Sequence, residues 1–384
     1  RLADAQFFFD QDRKKTLASR VPELDKVVYH NKLGTQGLRM HYVREIAYRI
    51  GQRLNVAAQA REAATLAKAD LLTGMVGEFP ELQGIMGRYY AQHEGLGDEI
   101  AFAIEDHYKP RFAGDTLPRN PVGVCVALAD KLETLINMFS IGEIPTGDKD
   151  LFALRRHALG IIRILIEKGL PLELDKLIEN VIEVIEDKDI YEQWAKHSTL
   201  NYITYNVRHI SKELREQLQI FIYERLAGNL REQGYTAQEV DAVLSLNPQN
   251  LSDIPKRLAA VRAFAALPEA VSLAAANKRV GNILKKTEGG VRAEVDAGLL
   301  QEPAEQALYQ ALTSLSSKTK EAFDTGDYTA SLQILAALKS PVDTFFDHVM
   351  VNVEDESLRH NRLALLAQLH QIMNQVADLS KLAS

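Results

Sequence analysis

The chain has 384 residues, 46% hydrophobic and 25% charged, which is too long for one typical domain and ordinary for a globular protein of two or three. A single cysteine, Cys125, excludes an intrachain disulfide framework and cysteine-rich zinc sites, and no apolar run is long enough to span a membrane as a helix. The net charge of −7 argues against a generic polyanion binder, although it leaves room for a local basic face. The chain opens at Arg1, with no basic-then-apolar segment of the secretory kind. The expectation is therefore an internal fragment of a longer cytoplasmic protein with no membrane partner.

In chain order, helical periodicity covers 39–54, then 56–72 after a short polar joint, then 98–108, 121–139 and 151–168. Pro121 stands at the start of its helix, where a missing N–H is harmless. The stretches 112–118 and 141–148 are turn-rich loops by composition. Between Glu167 and Lys212 the pattern becomes acidic and less regular, and a second helical unit follows to Ser384. Within it, Gly234-Tyr235-Thr236 and Gly289-Gly290 read as helix stops. Alternating β-branched patterns are scarce, so the fold expected is all-α. The expected divisions are a first helical domain at 1–168, a helical linker region at 169–211 and a second helical domain at 212–384.

Five residues in the first domain follow a metal-ligand order: His41, Asp70, His93, His107 and Asp130. In such a centre a coordinated water becomes a hydroxide near neutral pH and attacks phosphorus. The order resembles that of the HD phosphohydrolase superfamily, which carries a histidine directly before the first aspartate. Here that position is Ala69, which cannot ligate. The five are therefore vestigial candidates with no metal expected, and core hydrogen bonding is their plain alternative. The rival reading of the whole chain is a metal-dependent HD phosphohydrolase with a helical regulatory lobe.

A more specific likeness surrounds that position. It runs through Lys68-Ala69-Asp70-Leu71-Leu72-Thr73 and Glu81-Leu82-Gln83-Gly84. It continues in Tyr108-Lys109-Pro110-Arg111-Phe112-Ala113-Gly114-Asp115 and in Asp150-Leu151-Phe152-Ala153-Leu154-Arg155-Arg156. Further blocks are Ala276-Asn277-Lys278-Arg279-Val280-Gly281-Asn282 and Arg359-His360-Asn361-Arg362-Leu363. Together these blocks resemble the β subunit of bacterial heterotetrameric glycyl-tRNA synthetases. The resemblance implies an α2β2 enzyme that joins glycine to its tRNA with ATP and Mg, its aminoacylation site on the α subunit. It implies a C-terminal part of β, with a degenerate HD-like domain and a DALR-type anticodon-binding domain. The implied partners are glycine tRNA and the α subunit. No catalytic residue and no cofactor are expected within this stretch.

The basic face can be read without the likeness. Lys256, Arg257, Arg262, Lys278, Arg279, Lys285 and Lys286 lie between Pro255 and Gly290, against Glu269 and Glu288. At helical spacing Lys278, Asn282, Lys285 and Lys286 share a side with Arg279 at its margin, opposite Val280, Ile283 and Leu284. Cations suit phosphates, and an asparagine suits base edges or a 2′-hydroxyl. Arg359, Asn361 and Arg362 form a second candidate set, for which pairing with Glu354, Asp355 or Glu356 is the plain alternative. Lys109, Arg111 and Arg119 flank a loop of the first domain, where they could touch the acceptor arm of tRNA or equally hold the loop. Trp194, Tyr202 and Tyr205 fit either base stacking or a core cluster and are assigned to no site.

Overall fold

The structure, a computed structural model, describes residues 2–198, 209–287 and 290–383. Helices build nearly all of it, and among the described residues one short antiparallel hairpin, Val28–His30 with Gly34–Thr35, is the only sheet. The chain divides into two compact units, 1–226 and 227–384.

The first unit is organised around the helix Pro121–Ser140, in which every residue from Val122 to Phe139 is buried. A helix buried on all sides belongs at the centre of a bundle. Its start is fixed locally, since Asn120 Oδ1 accepts the Gly123 N–H at 2.8 Å and Pro121 occupies the first turn. The helices Gln36–Leu54, Ala57–Leu66, Asp98–Asp106, Leu154–Glu167 and Leu174–Glu186 pack against it. Thr35 caps the first of these, and Asn55, left-handed at φ 59°, ends it.

Two expectations change here. The helix expected over 56–72 stops at Leu66, and Ala69–Leu72 forms a tighter 3₁₀ turn. The Asp70 carboxylate is the reason: it reaches out to the N–H groups of Gly84 and Gly87 and ties this turn to a later one. The region expected as a linker is also largely part of the bundle. Leu174–Glu186 buries Leu177, Ile178, Val181, Ile182 and Ile185, and Trp194 of Lys188–His197 donates its indole N–H to Asp25 at 2.8 Å. The unit boundary then falls inside the helix Lys212–Glu232.

The second unit packs the helices Ile254–Ala265, Ala270–Lys285, Pro303–Asp324, Lys339–His348 and Glu356–Met373 around Phe264, Phe345, Leu308 and Leu369. Gly234, at φ 90°, ends the helix before it, and Thr236 opens Ala237–Leu244 with a capping box to Glu239. The chain end is tied in where the Asp378 N–H donates to the Ala242 carbonyl at 2.7 Å. The second expected stop is met in part: Ala270–Lys285 ends just before it and Gly290 is left-handed, while Gly289 lies outside the described residues.

Candidate metal centre and nucleic-acid interface

In the first unit the polar interior is set by Arg39, two residues before His41 on the same helix. Its guanidinium donates to Glu133 Oε2 at 2.8 Å, Asp130 Oδ1 at 3.0 Å and Thr134 Oγ1 at 2.7 Å, and lies over the Tyr29 ring at 4.7 Å. Lys68 approaches from another side, its Nζ 3.6 Å from Asp130 Oδ1 and 3.8 Å from the centre of the Tyr108 ring. Burial opposes ionisation of Asp130, but Arg39 and Lys68 overcome it and hold the carboxyl well below the usual carboxylate range. Burial pulls Lys68 down to about 8, with Asp130 opposing. His107 is held far below the ordinary imidazole value, first by burial and then by Lys68. Asp70 is raised by burial, against the backbone hydrogen bonds it accepts.

The five residues in metal-ligand order thus separate. Asp70, His107 and Asp130 are buried around Lys68. His93 is exposed with its Nδ1 3.1 Å from Arg13, and His41 lines a different cavity of about 470 Å³ with Asp25, Gly37, Thr65 and Trp194. Among the described residues no group of three or more His, Cys, Asp or Glu side chains has metal-holding geometry. With Ala69 in place and two cations on Asp130, the residues present do not fit a metal ion. Arg39, Lys68 and Glu133 went unread in the sequence. The signal that could have found them is the run Asp130-Lys131-Leu132-Glu133, three charges inside an otherwise apolar helix.

In the second unit Ala270–Lys285 buries Leu273, Ala274, Ala276, Asn277 and Val280 and exposes Lys278, Arg279, Asn282 and Lys285, with Lys286 exposed at its C-cap. Asn277 is exchanged with Asn374 through two side-chain hydrogen bonds of 2.8 and 3.0 Å, which locks this helix to the last one. The Arg279 guanidinium rests 4.2 Å from the centre of the Phe346 ring. A shallow groove of about 410 Å³ runs along Ala275, Lys278, Arg279, Asn282, Ile283 and Lys286. Among the described residues no ion pair engages Lys278, Lys285 or Lys286. Two other cations of the basic stretch are spent elsewhere: Arg262 pairs with Glu239 at 2.6 Å, and Arg257 donates to the Val376 carbonyl at 2.7 Å.

The second candidate set is corrected. Asn361 is buried, and its amide holds both backbone groups of Asp296, at 2.7 Å to the N–H and 3.0 Å to the carbonyl. Arg362 is buried in an ion pair with Glu305 and donates to the Met350 carbonyl at 2.8 Å. Neither side chain is available to a ligand, because both are satisfied inside the fold. Arg359 is half-buried, donating to the Val353 carbonyl at 3.3 Å and 3.5 Å from Glu356. In the first unit Lys109 and Arg119 both pair with Asp106 at 2.9 Å, and Arg111 with Asp115 at 2.9 Å, so these cations hold their loop. Trp194 is buried, whereas Tyr202 and Tyr205 lie outside the described residues.

Comparisons with known proteins match two stretches of the chain, the first of which runs past the boundary between the units. The family model described as glycyl-tRNA synthetase beta subunit matches residues 1–245, and that of the DALR anticodon binding domain matches residues 273–382. The chain is 64% identical to the glycine–tRNA ligase beta subunit of Nitrosomonas eutropha over 387 aligned residues, all of this chain and 53% of that protein. It is 66% identical to that of Janthinobacterium sp. over 385 residues, covering all of this chain and 52% of the relative. It is 61% identical to that of Thiobacillus denitrificans over 387 residues, with the same shares covered. The chain spans about half the length of the curated relatives it matches.

Proposed function

The chain belongs to the glycyl-tRNA synthetase beta-subunit family, and from that premise we propose that it is a tRNA-binding part of a glycine–tRNA ligase. The second unit recognises the anticodon region of glycine tRNA. The observation that carries this reading is the exposed face of Ala270–Lys285, whose Lys278, Arg279, Asn282 and Lys285 lie within the match to the anticodon-binding family. Lys278, Lys285 and Lys286 contact phosphates, and Asn282 reaches a base edge or a 2′-hydroxyl from the same groove. Arg279, carried on the Phe346 ring, presents a planar fork to a phosphate or a base. The first unit is an HD-like scaffold without metal that helps to place the tRNA. Aminoacylation takes place on a separate α subunit of an α2β2 complex, which uses ATP and Mg, in the cytoplasm.

Binding of transcribed glycine tRNA across a salt series tests the interface. Replacing a lysine that neutralises one phosphate lowers the slope of log K against log salt by about 0.7–0.9. Lys278→Ala and Lys286→Ala are each expected to weaken binding with that loss of slope. Asn282→Ala is expected to weaken binding with the slope unchanged. Affinity and slope indifferent to all three would remove this helix from the interface.

A further inference from the structure

The cavity of about 470 Å³ beside His41 lies within the first unit and shares no lining residue with the Arg39, Lys68 and Asp130 group. That volume is in the range of sites that enclose small organic ligands. Val21, Pro22, Leu24 and Met40 give it apolar walls, together with the ring of Trp194. Its polar groups are few and of unequal kind. Asp25 lines the cavity and is 6% exposed; its Oδ1 accepts the Trp194 indole N–H at 2.8 Å, and Oδ2 has no hydrogen-bond partner among the described residues. Gly37 leaves room for this carboxylate, since a Cβ there would fall 1.8 Å from Oδ1. Thr65 spends its one hydroxyl hydrogen on the Arg61 carbonyl at 2.7 Å, so towards the cavity it can only accept. Arg44, which can only donate, lines the same cavity. An occupant that satisfies all of them brings N–H groups to Asp25 and Thr65, a lone pair to Arg44 and a flat apolar body to the walls.

We propose that this cavity binds a nucleobase by its exocyclic amino group, the amino N–H donating to Asp25 Oδ2. Bases combine the required features, having two planar faces and an edge on which an amino donor stands beside a ring-nitrogen acceptor. The faces suit Trp194 and the polarizable thioether of Met40, and the ring nitrogen suits Arg44. An aliphatic ammonium would satisfy Asp25 but bring a second cation beside Arg44, and a carboxylate or phosphate would face Asp25 with like charge. Free nucleosides and unpaired bases of an RNA share the chemistry, and the test separates them. The inference concerns the first unit and stands or falls independently of the anticodon interface in the second.

Adenosine is the probe, read by equilibrium dialysis and by the emission of Trp194, the chain's one tryptophan. Saturable binding with a change in emission is expected. Purine riboside, which has hydrogen where adenosine has the amino group, is expected to bind about ten-fold more weakly, because it leaves Asp25 Oδ2 unpaired. Asp25→Asn keeps an oxygen for the indole and turns an amide N–H₂ to the cavity, so the preference for adenosine is expected to vanish. If Asp25→Asn does not fold, dimethylation of the adenosine amino group makes the same decision on the unsubstituted protein, since that ligand has no amino hydrogen and is expected to bind as weakly as purine riboside. Displacement of adenosine by a short oligoadenylate, weakening as salt rises, assigns the cavity to an RNA base. A free nucleoside is the occupant if adenosine binds and the oligomer does not compete. No saturable binding of adenosine, equal binding of purine riboside or of the dimethylated ligand, or a preference that survives Asp25→Asn would overturn the proposal.

Discussion

At the scale of single residues, exposure rather than charge decides what a side chain does. Lys278 and Arg362 are both cations in the second unit, yet one faces solvent and the other is sealed against Glu305. Removing one partner of a buried pair leaves the other uncompensated, so Arg362→Ala is expected to cost about 3–5 kcal/mol in urea unfolding. Lys278→Ala is expected to stay within about 0.5 kcal/mol, as surface changes do. Equal costs would contradict this division. Asp115 offers a pH test. The Arg111 side chain first, then backbone N–H groups of Arg111 and Thr116, hold its carboxyl down at about 2 against an ordinary 3.8. A carboxyl with a depressed folded value contributes stability that is complete above its unfolded value and disappears as pH falls through the folded one. With one unit worth about 1.4 kcal/mol and an exposed arginine screened by water, that contribution is about 1–2 kcal/mol. Asp115→Asn is therefore expected to cost about that much at pH 7 and progressively less from about pH 4 to pH 2. A constant difference across that range would mean the carboxylate charge is not what stabilises the loop.

At the scale of elements, the sequence was legible wherever one helix decides its own environment. The 3.6-residue period placed Lys278, Arg279, Asn282 and Lys285 outward and Val280 inward, as found. It could not place Asn361, whose burial depends on a loop residue 65 positions away, nor Arg39, whose partners lie 91 to 95 positions on. It also missed the break after Leu66, because the pull on Asp70 comes from backbone N–H groups that carry no sequence signature. One further contact between elements can be tested in the same unit. A Cβ on Gly37 would fall 1.8 Å from Asp25 Oδ1, the atom that accepts the Trp194 indole N–H. Gly37→Ala must swing Asp25 aside and release the indole. Since Trp194 is the chain's one tryptophan, its emission reports this directly. The expected result is a red shift with easier acrylamide quenching, and an unchanged spectrum would show that Asp25 does not hold the ring.

At the scale of the whole molecule, the all-α class followed from the periodicity, but the boundary between units did not. Lys212–Glu232 runs through residue 226 as one helix, with no proline and only Gly228 to mark it, so local signals give no reason to divide the chain there. What divides it is packing, since each unit buries its own apolar centre. Leu132, Leu135 and Ile136 lie in the first, and Phe264, Phe345 and Leu369 in the second. Proteins with more than one such centre depart from a single cooperative transition. Calorimetry is therefore expected to resolve two transitions, with a van't Hoff enthalpy below the calorimetric one. Leu135→Ala and Phe345→Ala identify them, because truncating a buried leucine or phenylalanine costs about 2–5 kcal/mol wherever that residue is packed. The first should lower one midpoint and the second the other. If either variant shifts both midpoints together, the continuous helix couples the units into one folding cooperative, and the division by packing has no thermodynamic counterpart.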